Sequence, residues 1–134
     1  MTKYVHDVAV RWSDMDVYGH VNNARFLTLY EEARVAMFFL GARGQGVTSF
    51  EEGIVISRHE VDYLRPVDFG HPVRIEMWVS QLRAASFVVS YELFDEGELA
   101  GRAKSWCVPY NLAEGFPRRL SEAERVFLKP YVEQ

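Results

Sequence analysis

The sequence predicts an α+β fold in which a mostly antiparallel, five-stranded sheet packs against one long helix. A run with a period of two near the N-terminus precedes a single long stretch of helical periodicity, and four strand-like runs then follow through short connections. The helical stretch is apolar on more than one side, which indicates that the sheet curls around it.

The first strand is predicted over residues 4–12. In YVHDVAVRW the residues alternate between two faces, with one face formed by Tyr4, His6, Val8, Val10 and Trp12. A period of two is typical of a β-strand.

The long helix is predicted to begin at Asn23 and to continue to about Leu40. Its apolar positions recur at steps of three and four residues, and they are Phe26, Leu29, Tyr30, Ala33, Met37 and Leu40. Asn22 or Asn23 can cap the first turn, and Gly41 stands where a left-handed residue often ends a helix.

The second half of the chain is predicted to form four more strands and a short final helix. The strands cover residues 54–63, 73–81, 87–94 and 99–110, and DEGE (residues 95–98) makes a tight hairpin before the last. Ser121 and Glu124 form a Ser-x-x-Glu capping box, which predicts a short C-terminal helix.

Composition limits the class of protein. We expect one domain, residues 1–134, and 14% aromatic residues suggest an apolar pocket or a subunit interface besides the core. A net charge of −4 argues against nucleic-acid binding. No apolar run approaches the roughly 20 residues of a membrane span, and the N-terminus is too polar for a signal peptide. With Cys107 as the single cysteine, we expect a cytoplasmic protein without a disulfide, metal or cofactor.

Polar residues crowd the segment between the first strand and the long helix. SDMDVYGHVNNARF, residues 13–26, carries two aspartates, a glycine, a histidine and two asparagines. One cap, one Asx turn and a positive φ at Gly19 would account for about half of them. A calcium loop starting at Asp14 would need an acidic twelfth residue, where Arg25 stands. The remaining polar residues indicate a functional site.

A carboxylate beside a helix N-terminus suits acyl transfer or hydrolysis. Unpaired N–H groups and the positive end of the helix dipole can stabilise an oxyanion. Asp16 can attack an acyl carbon or activate water, and His20 can hydrogen-bond the substrate or orient that water. Asp14 is expected to be a structural turn acceptor.

The segment RWSDMDVYGHVNNARFLTLYEEAR, residues 11–34, resembles the signature of hotdog-fold acyl thioesterases of the 4-hydroxybenzoyl-CoA thioesterase superfamily. The matching features are Asp-x-Asp, Gly-His-Val-Asn-Asn and an aromatic-rich helix with Glu-Glu-Ala-Arg. The resemblance implies a hotdog fold, with a five-stranded sheet wrapped around one long central helix. It also implies homodimers or homotetramers with active sites at the subunit interface, and metal-independent hydrolysis of acyl-CoA or acyl-carrier-protein thioesters.

The resemblance also implies site residues. Asp16 matches the catalytic carboxylate, and the backbone N–H near Asn23 matches the group that polarises the thioester carbonyl. His20 and Asn23 match positions that line the thioester channel and complete the expected catalytic set. We expect the substrate to be bound by Phe26 beside the acyl tunnel, by Tyr30 and Ser86, and by Arg65 and Arg83 near the CoA phosphates.

Two departures from the family pattern bear on the substrate. Val17 and His20 replace the proline and the apolar residue of the hydroxybenzoyl-type enzymes, which points to the fatty-acyl branch. Ala84 and Ala85 leave Arg83 as the only basic residue of a hairpin that is richer in positive charge in the family. A carrier-protein thioester therefore stays open beside acyl-CoA.

Two other functions also stay open. A hotdog enoyl-thioester hydratase or dehydratase would pair Asp16 with His20, although those enzymes use other spacings and lack the double asparagine. It would hydrate crotonyl-CoA. A non-catalytic acyl-CoA binder would bind thioesters without turnover.

Overall fold

A computed structural model describes all 134 residues and shows an antiparallel sheet curled around a long helix. The strands are β1 (Tyr4–Val8), β2 (Ile54–Tyr63), β3 (Val73–Leu82), β4 (Phe87–Asp95), β5 (Glu98–Asn111) and the short β6 (Phe116–Pro117). The order across the sheet is β1-β3-β4-β5-β2, every neighbouring pair is antiparallel, and β6 pairs with β5. The predicted five-stranded hotdog architecture is confirmed.

The first strand is shorter than predicted. β1 ends at Val8, which pairs with Val73, the first residue of β3. Pro72 precedes Val73 and has no N–H to continue the ladder. The chain then leaves the sheet, and Trp12–Asp14 forms a 3-10 turn instead of the predicted end of the strand.

The long helix begins where the sequence predicts. Helix α1 (Asn23–Val35) is capped by Asn22, whose side-chain oxygen accepts a hydrogen bond from the Ala24 N–H at 2.8 Å. It continues through a π-helical segment (Ala36–Gly41) into α2 (Ala42–Gly44).

The prediction that Gly41 ends the helix is wrong. Its φ is −62°, and the helix runs on to residue 44. Glycine is needed there for a different reason, because a Cβ at Gly41 would lie 2.7 Å from the ring of Tyr4. The Tyr4 hydroxyl donates to the Ala36 carbonyl at 3.2 Å, so β1 packs closely on the π-helical segment.

The core lies between the concave face of the sheet and the long helix. The helix contributes Phe26, Leu29, Tyr30, Ala33 and Met37, and the sheet contributes Ile75, Met77, Val79, Val89, Tyr91 and Leu93. Full burial of a side chain such as Leu or Phe is worth about 1.5–3 kcal/mol. Burial on several sides explains why the helix is apolar well beyond one stripe.

A series of hydrogen bonds between polar side chains crosses this core. The buried guanidinium of Arg34 donates to the Tyr91 hydroxyl at 2.9 Å, and that hydroxyl donates to Ser105 Oγ at 2.8 Å. Ser105 Oγ in turn lies 2.8 Å from His59 Nδ1. His59 is itself exposed on β2, so this series of hydrogen bonds reaches the open edge of the sheet.

The C-terminal capping box is confirmed at helix α3 (Glu122–Leu128). The Glu124 N–H donates to Ser121 Oγ at 3.1 Å, and the Ser121 N–H donates to the Glu124 carboxylate at 2.7 Å. The buried Glu124 also pairs with Arg118, which fastens the helix to the segment after β6. None of the helices has the length and apolar character needed to cross a bilayer.

Candidate active site

A cavity of about 380 Å³ opens at the N-terminus of α1. It lies within the size range of small-molecule sites. Its lining includes five of the predicted site residues, which are Asp16, His20, Asn23, Phe26 and Arg65. They come from the β1–α1 connection, the first turn of α1 and the segment after β2.

Asp16 is held by the backbone of its own loop. Its Oδ1 accepts hydrogen bonds from the N–H groups of Tyr18 at 2.8 Å and His20 at 3.4 Å. The Asp16 N–H donates to the His20 carbonyl at 2.8 Å, and Gly19 completes the tight turn with a φ of +80°. The second carboxylate oxygen, Oδ2, has no hydrogen-bond donor and remains available to a substrate.

Asp14 has a different environment. Its side chain is fully buried, and its carboxylate accepts hydrogen bonds from the Arg11 N–H at 2.8 Å and the Arg11 guanidinium at 3.0 Å. Burial would raise the pKa of Asp14, but these bonds from Arg11 outweigh it and hold the pKa below its usual value. Asp14 is a structural acceptor, as predicted.

The first turn of α1 presents an unpaired donor. The Ala24 N–H is capped by Asn22, and the Arg25 N–H donates to the Asn22 carbonyl at 2.8 Å. The Asn23 N–H has no acceptor in the structure, and Asn23 lines the cavity. A substrate oxygen placed in the cavity can accept this hydrogen bond at the positive end of the helix dipole.

His20 faces a second acidic residue. Its Nε2 lies 3.5 Å from Asp68 Oδ1, and both side chains are substantially exposed. Asp68 belongs to the β2–β3 loop, residues 64–72. This contact restricts the orientation of the imidazole on one side of the cavity.

The β2–β3 loop also supplies Arg65 to the cavity and is fastened at several points. The Arg65 guanidinium donates to Glu98 at 2.9 Å, and the Val21 N–H donates to the buried Val67 carbonyl at 2.9 Å. His71 forms ion pairs with both Asp95 and Glu96 at the β4–β5 turn. The hydrogen bond to Asp95 raises the pKa of His71.

Tyr63 also lines the cavity, although the sequence pattern did not indicate it as a site residue. It lies at the end of β2, its hydroxyl donates to the Asn23 carbonyl at 2.9 Å, and its ring packs edge-on against Phe26 at 5.0 Å between centroids. The alternation of β2 assigns Tyr63 to a face of the sheet but carries no information about the helix end above it.

Three predicted substrate contacts lie elsewhere. Tyr30 is 1% exposed, and its hydroxyl packs against Gly101 inside the core without a hydrogen-bond partner. Arg83 and Ser86 close the β3–β4 hairpin through a backbone hydrogen bond of 2.9 Å. That hairpin is at the opposite end of the sheet, because β4 runs roughly 30 Å from Phe87 to the end near the cavity. Within one protomer the structure therefore does not bring these three residues to the cavity.

Comparison with known proteins identifies the family. Residues 10–130 match the family model of the thioesterase-like superfamily. The chain is 32% identical over 91 residues to the long-chain acyl-CoA thioesterase FadM of Escherichia coli, covering 68% of this chain and 69% of that protein. It is also 32% identical over 100 residues to the 1,4-dihydroxy-2-naphthoyl-CoA hydrolase of Gloeothece citriformis, covering 70% and 69% respectively.

A solved structure extends the likeness to nearly the whole chain. The thioesterase of Thermus thermophilus, crystallised with coenzyme A and zinc, superimposes with a TM-score of 0.80 at 32% identity, covering 95% of this chain and 92% of that one. With the hotdog architecture and a family match over residues 10–130, the chain belongs to the thioesterase-like superfamily.

Proposed function

We propose that Asp16 and the N-terminus of α1 catalyse the hydrolysis of an acyl-CoA thioester in the cavity between them. As a thioesterase, the protein converts an acyl thioester into a free acid and a thiol. One observation carries the assignment of residues: the free Oδ2 of Asp16 and the unpaired N–H of Asn23 belong to residues that line the same cavity.

The thioester carbonyl oxygen accepts the Asn23 N–H. This bond strengthens as the oxygen gains charge, so it stabilises the transition state more than the substrate. Asp16 either takes a proton from the attacking water or attacks the carbonyl carbon itself to form an anhydride that water then opens. In both routes the C–S bond breaks and the thiolate leaves as the thiol after protonation. His20, restricted by Asp68, hydrogen-bonds the substrate or the water.

Coenzyme A is the favoured thiol carrier. The FadM relative is named for long-chain acyl-CoA, the cyanobacterial relative for a naphthoyl-CoA, and the Thermus structure contains coenzyme A. Arg65 is the cationic side chain of the cavity and can meet a phosphate, although it also pairs with Glu98. The relatives differ in acyl group, so the acyl preference has to come from this chain's own surfaces.

Asp16→Asn tests the mechanism. The change keeps the size of the side chain and an oxygen for the Tyr18 N–H but removes the negative charge. We expect kcat, measured as free thiol released from a panel of acyl-CoA esters, to fall about 10²–10⁴-fold with little change in melting temperature. Asp7→Asn, on the exposed surface of β1, is the matched control. A folded Asp16→Asn protein with full activity would refute the mechanism, and hydration of crotonyl-CoA by the wild type would favour a hydratase.

We also propose that two copies pair through β2. This strand has ten residues and is bonded to β5 on one side only, so its other edge presents unpaired N–H and C=O groups. Long open edges of this kind are usually covered in native proteins. The other edge of the sheet, β1, has only five residues.

Antiparallel pairing of β2 with its copy would complete the cavity. With the twofold axis at His59, Arg58 of one copy opposes Glu60 of the other, which is a favourable cross-strand pair. Ile54 of the second copy then lies beside Leu64, at the wall of the first copy's cavity. The same arrangement turns the second copy's β3–β4 hairpin, with Arg83 and Ser86, toward this end of the sheet.

A further inference from the structure

Asp16 borders a second cavity that the mechanism does not use. This cavity has a volume of about 570 Å³, and Asp16 is the one residue that it shares with the cavity at the start of α1. We call it the Trp12 groove; it is lined by Trp12, Ser13, Met15, Asp16, Val17, Gly19 and Phe69.

Four of the seven residues that line the Trp12 groove are large and apolar, and three of these four are exposed. Trp12 is 78% exposed, Val17 92% and Phe69 50%, and Met15 completes the apolar lining. Clusters of large apolar side chains left open to water mark binding surfaces more often than isolated ones do. Apart from Asp16 itself, the groove has no charged residue.

The first cavity also has apolar walls, formed by Val21, Phe26, Leu64 and Pro66, but it carries hydrogen-bonding groups and a cation that the Trp12 groove lacks. It offers Arg65, the imidazole of His20, the amide of Asn23 and the hydroxyl groups of two tyrosines, Tyr18 and Tyr63. The pantetheine arm of coenzyme A carries two amides and leads to phosphates, so it needs donors, acceptors and a cation. An acyl chain needs only apolar walls.

We propose that the Trp12 groove binds the acyl group of the substrate, while the first cavity holds the pantetheine arm. A thioester carbonyl carbon has two substituents that point away from each other, and a residue acting on that carbon must border the sites of both. Asp16 meets this requirement, because it is common to the two cavities. This inference rests on the proposed function.

The groove also restricts the class of acyl group. It offers no cation to an acyl chain that ends in a carboxylate, and Asp16 would repel such an end. The groove therefore selects extended apolar acyl groups over short or dicarboxylic ones.

Binding of non-hydrolysable S-alkyl-CoA thioethers tests this assignment by calorimetry. We expect the wild type to bind S-dodecyl-CoA at least about 100-fold more tightly than S-butyl-CoA, since full burial of one CH₂ is worth about fourfold. Trp12→Ala and Phe69→Ala should each weaken S-dodecyl-CoA binding about 5- to 20-fold and leave S-butyl-CoA binding within about twofold. Phe116→Ala is the matched control, because Phe116 is also 50% exposed but lies on β6 outside both cavities.

Each other outcome overturns the proposal. Equal weakening of both thioethers would mean that the groove contacts the CoA arm or supports the loop. A change in sedimentation of either variant would identify the groove as an interface between copies. Unchanged binding would show that the acyl chain lies elsewhere. Because thioethers are not cleaved, a protein that binds them in this way but hydrolyses no thioester would contradict the proposed function alone.

Discussion

Asp14 and Asp16 stand two residues apart and lie in different environments because their neighbours differ. The Asp14 carboxylate is fully buried and bonded by Arg11, whereas the half-buried Asp16 carboxylate keeps one oxygen free at the meeting point of two cavities. Spacing in the sequence does not distinguish two such carboxylates. Their hydrogen bonds do.

Asp14→Ala should therefore act on stability. It leaves the Arg11 N–H without its acceptor and opens a space in the core, and we expect a loss of about 1–3 kcal/mol in urea unfolding. Since the pKa of Asp14 is lowered in the folded protein, its contribution is present above the ordinary value of 3.8 and is lost as the pH falls through the folded value. The variant should thus lose less stability than the wild type on acidification. An Asp14→Ala protein as stable as the wild type would contradict a structural role.

At the scale of elements, the packing of β1 against the long helix decides where the helix can carry a side chain. Gly41 touches the ring of Tyr4, whereas a Cβ at Gly44, three residues later, would meet nothing within 4 Å. The two glycines are therefore expected to respond to substitution in opposite directions.

Gly41→Ala should destabilise the protein by about 1–2 kcal/mol, because the added methyl group forces Tyr4 to move against the packed β1 strand. Gly44→Ala, in the last helical turn, should stabilise by about 0.4–1 kcal/mol, because alanine restricts the unfolded chain and favours helix. Thermal unfolding of both variants checks the pair. Stabilisation by both would mean that Tyr4 yields without cost.

The attachment of the β2–β3 loop to the β4–β5 turn depends on pH, because His71 forms ion pairs there. His71 faces Asp95 and Glu96 on the β4–β5 turn and Asp68 in its own loop, and these carboxylates raise its pKa. A raised pKa in the folded state means that this stabilisation is fully present below the ordinary value of 6.5 and is lost as the pH rises through the folded value.

His71→Gln should accordingly lower the melting temperature at pH 5.5 and have little effect at pH 9. His6→Gln on β1, where the His6 side chain makes no hydrogen bond or ion pair, serves as the control. A difference between His71→Gln and the wild type that does not change with pH would show that packing, and not charge, holds the loop.

At the scale of the whole molecule, the open β2 edge predicts a dimer whose affinity depends on Arg58 and Glu60. Arg58→Glu places like charges opposite each other at both symmetric contacts, and we expect dimerisation to weaken by about 5- to 30-fold. The double variant Arg58→Glu/Glu60→Arg should restore it, because the opposed charges are complementary again. Sedimentation equilibrium measures both. A wild-type monomer at micromolar concentration, or a double variant as weak as the single one, would rule out this pairing.

Features that depend on residues close in sequence could be predicted. The Asn22 cap, the Ser121–Glu124 capping box and the hairpin at residues 95–98 each involve groups within four positions of one another. Periodicity located the five main strands and the helix, since burial on one face repeats with the period of the element. The motif in residues 11–34 pointed to the thioesterases and to Asp16, His20 and Asn23.

Other features depend on contacts between segments that are distant in the sequence, and these could not be predicted from local sequence patterns. β1 stops beside Pro72, which directly precedes the neighbouring strand β3, and glycine is required at position 41 by the ring of Tyr4 on β1. Tyr63 joins the site because β2 ends above the first turn of α1, whereas Tyr30 turns into the core on the same helix. The sequence by itself determined the class of fold, because periodicity and turn chemistry are local, and it named Asp16 as the candidate catalytic carboxylate ahead of the central helix. Only the packing of the sheet around the helix decided which side chains share a cavity with Asp16, because that depends on how strands far apart in the chain are brought together.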